Sequence, residues 1–326
     1  MEPLVSVIIP AYNQEAFIAG AIESVRGQDY PQDRIEIIVV DDGSTDGTGD
    51  IVSRLGGAIK YCYQENEGKA SATSRAINMA KGELIFNLDP DDKFLPGKIT
   101  KTVDIFGRYP SVVHVGHPVV YWDAAKGMKR GEYIPNEMLG REIPGSELLR
   151  RFLVNNRFYG GGSSFAGRAG ILKAMKPDSA IGFNIDAFMV FFLLNSGNSF
   201  YIGELLSLYR VHEGTYSSKG ASERAAIDAA ADKAIFELMS EEKLPPDIER
   251  LLDLRSVLSK VRCREISGEK TVADILELWK KLFAASETSG INPLKLAGAY
   301  GVFRRSFPTF LAGAVRAIKA RGRRAA

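Results

Sequence analysis

The sequence predicts an α/β fold, in which a mostly parallel sheet is flanked by helices, followed by an α-helical C-terminal extension. Three observations lead to this fold class. Short apolar runs alternate with amphipathic helical patterns over the first 110 residues, polar clusters follow these runs, and helical patterns prevail from Ser222 onward. Strands that are apolar throughout are typical of a parallel sheet covered on both faces. Ligands of such sheets bind beyond the carboxyl ends of the strands.

The alternating pattern places the elements in order. Strands are predicted over 5–9, 35–40, 59–63 and 84–88, and helices over 15–26, 46–55, 69–80 and 96–109. The pattern between Ser111 and about Tyr216 is irregular, with one strand expected over 112–120, and we expect this part to shape the acceptor side. Proline and glycine residues punctuate the C-terminal helices, which are expected over 222–240, 246–267, 271–285 and 293–303.

The composition is that of an ordinary globular protein. At 326 residues the chain can bury roughly 75% of its unfolded surface. A hydrophobic content of 45%, a charged content of 25% and a net charge of +2 argue against disorder and against a nucleic-acid partner. Cys62 and Cys263 match no metal spacing, so we expect reduced thiols in a cytoplasmic protein. The apolar stretch over 4–9 is too short for a signal peptide and no run reaches membrane-span length, so any membrane contact should be peripheral.

The stretch Asp89-Pro90-Asp91-Asp92 follows the apolar run over 84–88 and carries the most chemical information. Three carboxylates at one strand end repel one another unless a cation shares the site. Hard oxygen ligands favour Mg²⁺ or Mn²⁺ over zinc. An acidic turn that only caps the next helix is the alternative.

Two further polar clusters follow predicted strands. Asp42 is expected to accept a hydrogen bond from a nucleobase or a ribose, and Asp46 to cap the next helix, although both could serve the turn alone. Gly68 lets the backbone approach a ligand, and Lys69 and Arg75 could neutralise phosphate oxygens. Neither a Walker loop nor a G-x-G-x-x-G fingerprint is present.

The histidines differ in their surroundings. His114 and His117 are three residues apart on a predicted strand, so they make a poor metal pair and are expected to pack in the core or at the surface. Arg210 and His212 lie together before a glycine, which suits a diphosphate or a metal ion.

A lone carboxylate, Asp186, interrupts the apolar segment around 183–194. Burying an ionised group is costly, which favours a functional role. Partial desolvation would raise its pKa toward the range of an effective proton acceptor, so we expect Asp186 to be a catalytic base. A helix-capping role is the alternative.

These residues carry a resemblance to a known family, the family 2 glycosyltransferases with the GT-A fold. The matching motifs, in the family's order over about 3–217, are Val5-Ser6-Val7-Ile8-Ile9-Pro10-Ala11-Tyr12-Asn13, Val40-Asp41-Asp42-Gly43-Ser44-Thr45-Asp46, Asn66-Glu67-Gly68, Asp89-Pro90-Asp91-Asp92 and Tyr209-Arg210-Val211-His212. Two departures stand out. Ser74-Arg75-Ala76 replaces the frequent Ala-Arg-Asn, and Ile185-Asp186 replaces Glu-Asp.

The resemblance implies roles for single residues. The nucleotide-sugar contacts would come from Pro10, Ala11, Tyr12, Asn13, Asp42, Gly68, Lys69, Arg75, Asp89, Pro90, Arg210 and His212. Among these, Tyr12 would stack on the base, and Arg210 with His212 would close over the diphosphate. The metal ligands would be Asp89, Asp91 and His212, and Asp186 would be the base. The implied domains are a GT-A domain over 1–220, divided at residue 110 into a nucleotide-sugar half and an acceptor half, and a helical region over 221–326.

We therefore expect an inverting, Mn²⁺- or Mg²⁺-dependent glycosyltransferase that uses a nucleotide-diphospho-sugar, with a UDP-sugar first among the candidates. The acceptor is expected to be a glycan or a lipid-linked saccharide in surface polysaccharide synthesis. A homodimer stays open, and the basic, partly apolar tail beyond residue 302 suggests an anionic membrane surface as a further partner. The rival hypotheses are a GT-A-like sugar nucleotidyltransferase and a catalytically silent nucleotide-sugar-binding protein.

Overall fold

The computed structural model describes residues 2–123, 126–155, 162–176, 185–212 and 244–299, together with the single positions 220 and 223. The chain divides into two compact units, one formed by Met1–Leu148 and Phe158–Lys219, the other by Leu149–Arg157 and Gly220–Ala326. Apart from position 223, the helix predicted over 222–240 lies outside the described residues. The basic tail lies outside them as well.

The first unit contains twelve described strands. They are β1 Val5–Ala11, β2 Ile35–Asp42, β3 Ile59–Gln64, β4 Leu84–Asn87, β5 Lys93–Phe94, β6 Val112–Gly116, β7 Val119–Asp123, β8 Met128–Gly131, β9 Glu142–Ile143, β10 Phe165–Arg168, β11 Asn198–Tyr201 and β12 Ser207–Val211. Eight of them form one sheet in the order β3-β2-β1-β4-β10-β6-β11-β9. The other four form a small sheet in the order β5-β12-β7-β8.

The parallel part of the large sheet is the part that the sequence predicts. β1 pairs in parallel with both β2 and β4, and β2 pairs in parallel with β3. β10 then inserts between β4 and β6 and runs antiparallel to both. The prediction of a mostly parallel sheet is confirmed, and the four predicted strands lie side by side with their carboxyl ends at one edge.

The prediction of a single strand over 112–120 is wrong. β6 ends at Gly116 and belongs to the large sheet, whereas β7 begins at Val119 and belongs to the small one. Pro118 explains the break, because proline has no N–H to donate and restricts the residue before it. His117 lies in this break and His114 lies on β6; both are buried, which confirms a core position.

The described helices are α1 Ile18–Arg26, α2 Thr48–Leu55, α3 Lys69–Met79, α4 Lys98–Arg108, α5 Gly145–Asn155, α6 Ala169–Leu172, α7 Ile185–Ser196, α8 Pro246–Ile266, α9 Val272–Ser289 and α10 Pro293–Ala299. The helices α1, α2 and α4 begin two or three residues later than predicted. For α2 the reason is visible, since the Asp46 carboxylate accepts the N–H of Thr48 at 3.0 Å from outside the helix. Asp46 therefore serves the helix start, as expected.

The core of the first unit forms where helices pack on the parallel strands. Val5, Val7 and Ile9 alternate on β1 and join Ile18, Ile22 and Val25 of α1 in one apolar cluster. Burial of this kind stabilises a fold by roughly 25 cal/mol per Å² of apolar surface. It fixes the strands whose ends carry the polar residues discussed below.

The described part of the second unit contains α8, α9 and α10. The α9 helix begins with a capping box, in which Asp274 N–H donates to the Thr271 hydroxyl and the Asp274 carboxylate accepts the Thr271 N–H. Across the helix pair, Lys281 contacts Asp253 and Lys260 contacts Glu277. Among the described residues, no helix combines the length and apolarity needed to cross a membrane. Cys62 and Cys263 form no disulfide bond.

Candidate active site

The carboxyl ends of the four parallel strands bring the predicted polar clusters to one edge. The register pairs Ala11 with Asp41 and Asp42 with Gln64, while Ile8 pairs with Asn87 three residues before the end of β1. Loops that follow these residues therefore start side by side. Candidate site residues that are distant in sequence meet there.

The acidic turn after β4 separates its carboxylates into two kinds. The side chains of Asp89 and Asp91 are 15% and 19% exposed, whereas Asp92 is buried. Asp92 accepts the N–H of Arg210 at 2.9 Å and the hydroxyl of Ser163 at 2.6 Å. Burial raises the pKa of Asp92 well above its usual range, and the charges of Asp91 and Asp89 add to the rise. Asp92 thus holds the turn, and Asp89 and Asp91 remain available to a ligand.

The end of β12 lies against this turn. His212 Nε2 is 3.0 Å from Asp91 Oδ2, and Arg210 Nε donates to the backbone carbonyl of Asp91 at 3.0 Å. Burial and the charge of Asp89 raise the pKa of Asp91, and His212 opposes this rise. The predicted partners Asp91, Arg210 and His212 are therefore brought together, although more than 100 residues separate them in sequence.

Aromatic rings fix the orientation of Arg210. Its guanidinium carbon lies 5.0 Å from the centre of the Phe17 ring and 4.4 Å from that of Trp122. The His212 ring also stacks near Phe17, with 4.8 Å between ring centres. Cation–π contacts of this kind contribute about 0.5–2 kcal/mol each. They hold the planar group of Arg210 beside the acidic turn.

Asp186 reaches the same edge from the first turn of α7. The Lys69 ammonium lies 3.1 Å from Asp186 Oδ1 and 2.8 Å from Asp89 Oδ1. Burial raises the pKa of Asp186; Lys69 lowers it, and Asp89 raises it further, with a net rise. For Lys69, burial opposes the charged form, but the two carboxylates outweigh it and raise the pKa. We call Asp89, Asp91 and Asp186 the acidic cluster.

A glycine makes this close approach possible. A Cβ on Gly162 would lie 2.8 Å from Asp89 Oδ2, 2.9 Å from Asn87 Nδ2 and 3.0 Å from Asp186 Oδ2. Any larger residue would therefore push the cluster apart. Asn87 is 1% exposed, and neither its amide nitrogen nor its amide oxygen has a hydrogen-bond partner in the described structure.

The nucleotide side of the edge is built by the loops after β1 and β2. Pro10 and Ala11 are buried on β1, and Tyr12 beyond them is 46% exposed. Asn13 has a φ of +52°. Its side-chain oxygen accepts the N–H of Thr45 at 2.8 Å, and its own N–H donates to the Ser44 hydroxyl at 2.8 Å. These bonds lock the two loops together and leave the Tyr12 ring in the open.

Asp42 is almost fully engaged by the protein itself. It is 3% exposed, and its carboxylate accepts bonds from Gln64 Nε2 at 2.7 Å, Glu67 N at 3.0 Å and Gly68 N at 2.9 Å. Asp42 therefore shapes the loop before α3, and a direct contact with a nucleotide stays a prediction. Arg75 is exposed on α3 and lies 3.4 Å from Gln64 Oε1, so the structure does not place it in the acidic cluster.

The site contains residues that the sequence did not reveal. Asn87, Gly162, Ser163, Phe17 and Trp122 support or surround the cluster without belonging to a recognised motif. The run of glycines ending at Gly162 was the one available signal.

The acidic cluster is not a closed metal cage. Among the residues that the structure describes, no three His, Cys, Asp or Glu side chains are arranged to hold a metal ion by themselves. Mg²⁺ is commonly bound by one or two carboxylates together with substrate phosphates. Asp89 and Asp91 supply such oxygens at the exposed edge of the cluster, so the residues fit an ion that is bound jointly with a diphosphate.

Comparison with known proteins gives one family match. A sequence model described as Glycosyl transferase family 2 matches residues 6–175. The matched range contains Asp42, Lys69, Asp89 and Asp91. Asp186, Arg210 and His212 lie beyond it.

Curated relatives share part of the chain. An uncharacterized glycosyltransferase of Rickettsia typhi is 40% identical over 121 residues, which are 36% of this chain and 37% of the relative. TuaG of Bacillus subtilis, provisionally named a teichuronic acid biosynthesis glycosyltransferase, is 40% identical over 107 residues, which are 32% of this chain and 42% of TuaG. The chain thus matches less than half the length of these relatives.

Solved structures resemble nearly the whole chain. TarS 1–349 of S. aureus in complex with UDP-GlcNAc has a TM-score of 0.55 at 16% identity and covers 92% of this chain and 91% of that one. The mannosyltransferase PcManGT from Pyrobaculum calidifontis, in complex with GDP-Man and Mn²⁺, has a TM-score of 0.58 at 20% identity, covering 97% and 87%. At these identities the likeness concerns the fold alone, and it confirms the expected fold.

Proposed function

Since the chain belongs to glycosyltransferase family 2 and has the GT-A fold, we propose that it transfers a sugar from a nucleotide-diphospho-sugar to an acceptor hydroxyl, with inversion at the anomeric carbon. One observation carries this proposal. Asp91, paired with His212, and Asp186, linked to Asp89 through Lys69, lie at the same strand edge. Such a reaction needs both a place for the diphosphate and a carboxylate for the acceptor proton.

Asp186 is assigned the role of general base. Its carboxylate would accept the proton of the acceptor hydroxyl as the oxygen attacks the anomeric carbon. Burial raises its pKa, which favours proton acceptance near neutral pH. Proton transfer to a positioned side chain contributes typically ~10²- to 10⁴-fold in rate.

Asp89 and Asp91 are assigned to a divalent cation, Mn²⁺ or Mg²⁺, with His212 as a third candidate ligand. When bound, this ion neutralises the negative charge that develops on the leaving diphosphate. Arg210 holds the Asp91 carbonyl and would add positive charge at the same place. The exposed Tyr12 ring would stack on the base, while Asp42 fixes the loop at Gly68 and Lys69 beside it.

The acceptor is proposed to be a glycan or a lipid-linked saccharide in polysaccharide synthesis, with a UDP-sugar as the first donor to test. The relative named for teichuronic acid biosynthesis supports a polysaccharide product. The basic tail beyond residue 302 is proposed to contact an anionic membrane surface, so that the protein works peripherally at the cytoplasmic face.

A panel of nucleotide sugars tests the proposal. The purified protein is incubated with each donor and Mn²⁺ or Mg²⁺, and release of nucleoside diphosphate is measured. We expect release from at least one donor, abolished by EDTA and reduced more than 100-fold in Asp91→Ala. Asp104→Ala is the matched control, because Asp104 is an exposed aspartate on α4.

Two outcomes would contradict the proposal. Formation of pyrophosphate from a nucleoside triphosphate and a sugar phosphate would indicate a nucleotidyltransferase. Binding of nucleotide sugars without turnover of any donor, alone or with saccharide acceptors, would indicate a silent binding protein. Turnover that resists both EDTA and Asp91→Ala would exclude the assigned metal.

A further inference from the structure

The acidic cluster already contains a cation of its own. The Lys69 ammonium lies between Asp89 and Asp186, at 2.8 Å and 3.1 Å from one oxygen of each. We propose that Lys69 is a positioning residue that holds Asp186 against Asp89 before the donor arrives, and that a divalent ion must displace this ammonium from Asp89 in order to bind. The inference rests on the proposed function for its meaning in catalysis, whereas its effect on metal binding can be measured separately.

The backbone fixes where this cation enters. Lys69 is the first residue of α3, and the preceding Gly68 has a φ of +92°. The N–H groups of Glu67 and Gly68 both donate to the buried carboxylate of Asp42. The start of α3 is therefore held from below, and the Lys69 side chain, 19% exposed, extends from a fixed point into the cluster.

A second observation indicates that the cluster receives a further group. Asn87 is 1% exposed, yet its amide has no hydrogen-bond partner in the part of the chain that the structure describes. Its Nδ2, Asp89 Oδ2 and Asp186 Oδ2 all lie within 3.0 Å of one point beside Gly162. An unsatisfied buried amide is costly, so a polar group bound beside these atoms would remove that cost.

The charges explain why Lys69 and a metal ion would compete. Three carboxylates and one ammonium leave the acidic cluster with a formal charge of −2, which attracts a divalent ion. However, an ammonium on Asp89 repels any cation that binds the same carboxylate, and the repulsion is strong where water is partly excluded. Removal of the Lys69 charge should therefore strengthen metal binding in the absence of donor.

The test is a Mn²⁺ titration of the donor-free full-length protein, followed by electron paramagnetic resonance. We expect Lys69→Met to bind Mn²⁺ at least about tenfold more tightly than the parent protein. Lys69→Arg keeps the charge and should resemble the parent. Lys101→Met is the matched control, because Lys101 also contacts a carboxylate, that of Glu204, but lies on α4 away from the cluster.

Catalysis gives the second measurement. At saturating Mn²⁺ and donor, turnover by Lys69→Met should fall about tenfold, because Asp186 loses the partner that holds it. A loss of turnover together with tighter Mn²⁺ binding separates positioning from general damage. Thermal unfolding checks the fold, and Lys69→Gln provides the same comparison if the methionine variant does not fold.

Equal Mn²⁺ affinity in the parent, Lys69→Met and Lys69→Gln would overturn the inference, as would normal turnover in both neutral variants. Failure of the proposed function looks different. In that case the parent turns over no nucleotide sugar, whereas the Mn²⁺ comparison can still be made and still decides whether Lys69 competes with the ion.

Discussion

Gly162 provides the sharpest structural prediction, because a single added methyl group enters the acidic cluster. In Gly162→Ala, the new Cβ would lie 2.8 Å from Asp89 Oδ2, whereas ordinary van der Waals contact begins at 3.4 Å. Asp89 or its neighbours must therefore move by 3.4 − 2.8 = 0.6 Å. A misplacement of 1 Å can cost about 10²-fold in rate. We expect turnover to fall roughly 10- to 100-fold, with a loss of about 1–3 kcal/mol in unfolding free energy.

The assay combines nucleoside diphosphate release with urea unfolding. Gly107→Ala is the matched control, since a Cβ there meets nothing within 4 Å and Gly107 lies within α4. That variant should keep full turnover and gain about 0.5–1 kcal/mol of stability. A folded Gly162→Ala protein with parental turnover would refute the geometry assigned to the cluster.

Three further predictions concern other parts of the molecule. Glu36 accepts bonds from Ser6 and from Lys81 N–H and contacts Lys60; although burial opposes ionisation, these partners lower its pKa. Glu36→Gln should therefore lose about 1–3 kcal/mol in urea unfolding at pH 7, and the gap should close as pH falls below about 4.5 through the lowered pKa; a constant gap would contradict this. Arg210→Lys keeps the charge but loses the planar contacts and the bond from Nε, so transfer should fall about tenfold, and unchanged transfer would contradict that role. Truncation after Gly301 should abolish co-sedimentation with anionic liposomes, and persistent co-sedimentation would refute the membrane role.

The parallel half of the sheet could be predicted because its signal is local. Apolar runs such as Val5–Ala11 report burial on both faces, and each polar cluster after a strand marks an end of the sheet. The prediction therefore located Tyr12, Asp42 and Asp89 at one edge without any knowledge of contacts.

The rest depended on pairings that are distant in sequence. Nothing in Phe165–Arg168 indicates that β10 inserts antiparallel between β4 and β6, because that order is set by tertiary packing. The pairing of Lys69 with Asp186 joins residues more than 100 positions apart, and each could equally have been a solvated charge or a cap. Asp42 was expected to face a ligand, but its three protein donors become visible only when the loop at Gly68 is in place.

The central claim is that Asp186 accepts the acceptor proton while other residues hold the donor, and Asp186→Asn tests it most directly. Asparagine keeps nearly the same size but loses basicity. With the active donor, saturating Mn²⁺ and an acceptor, we predict that donor affinity is largely retained while transfer falls by about two or more orders of magnitude. Near-normal transfer by this variant would contradict the account and assign the base to another carboxylate.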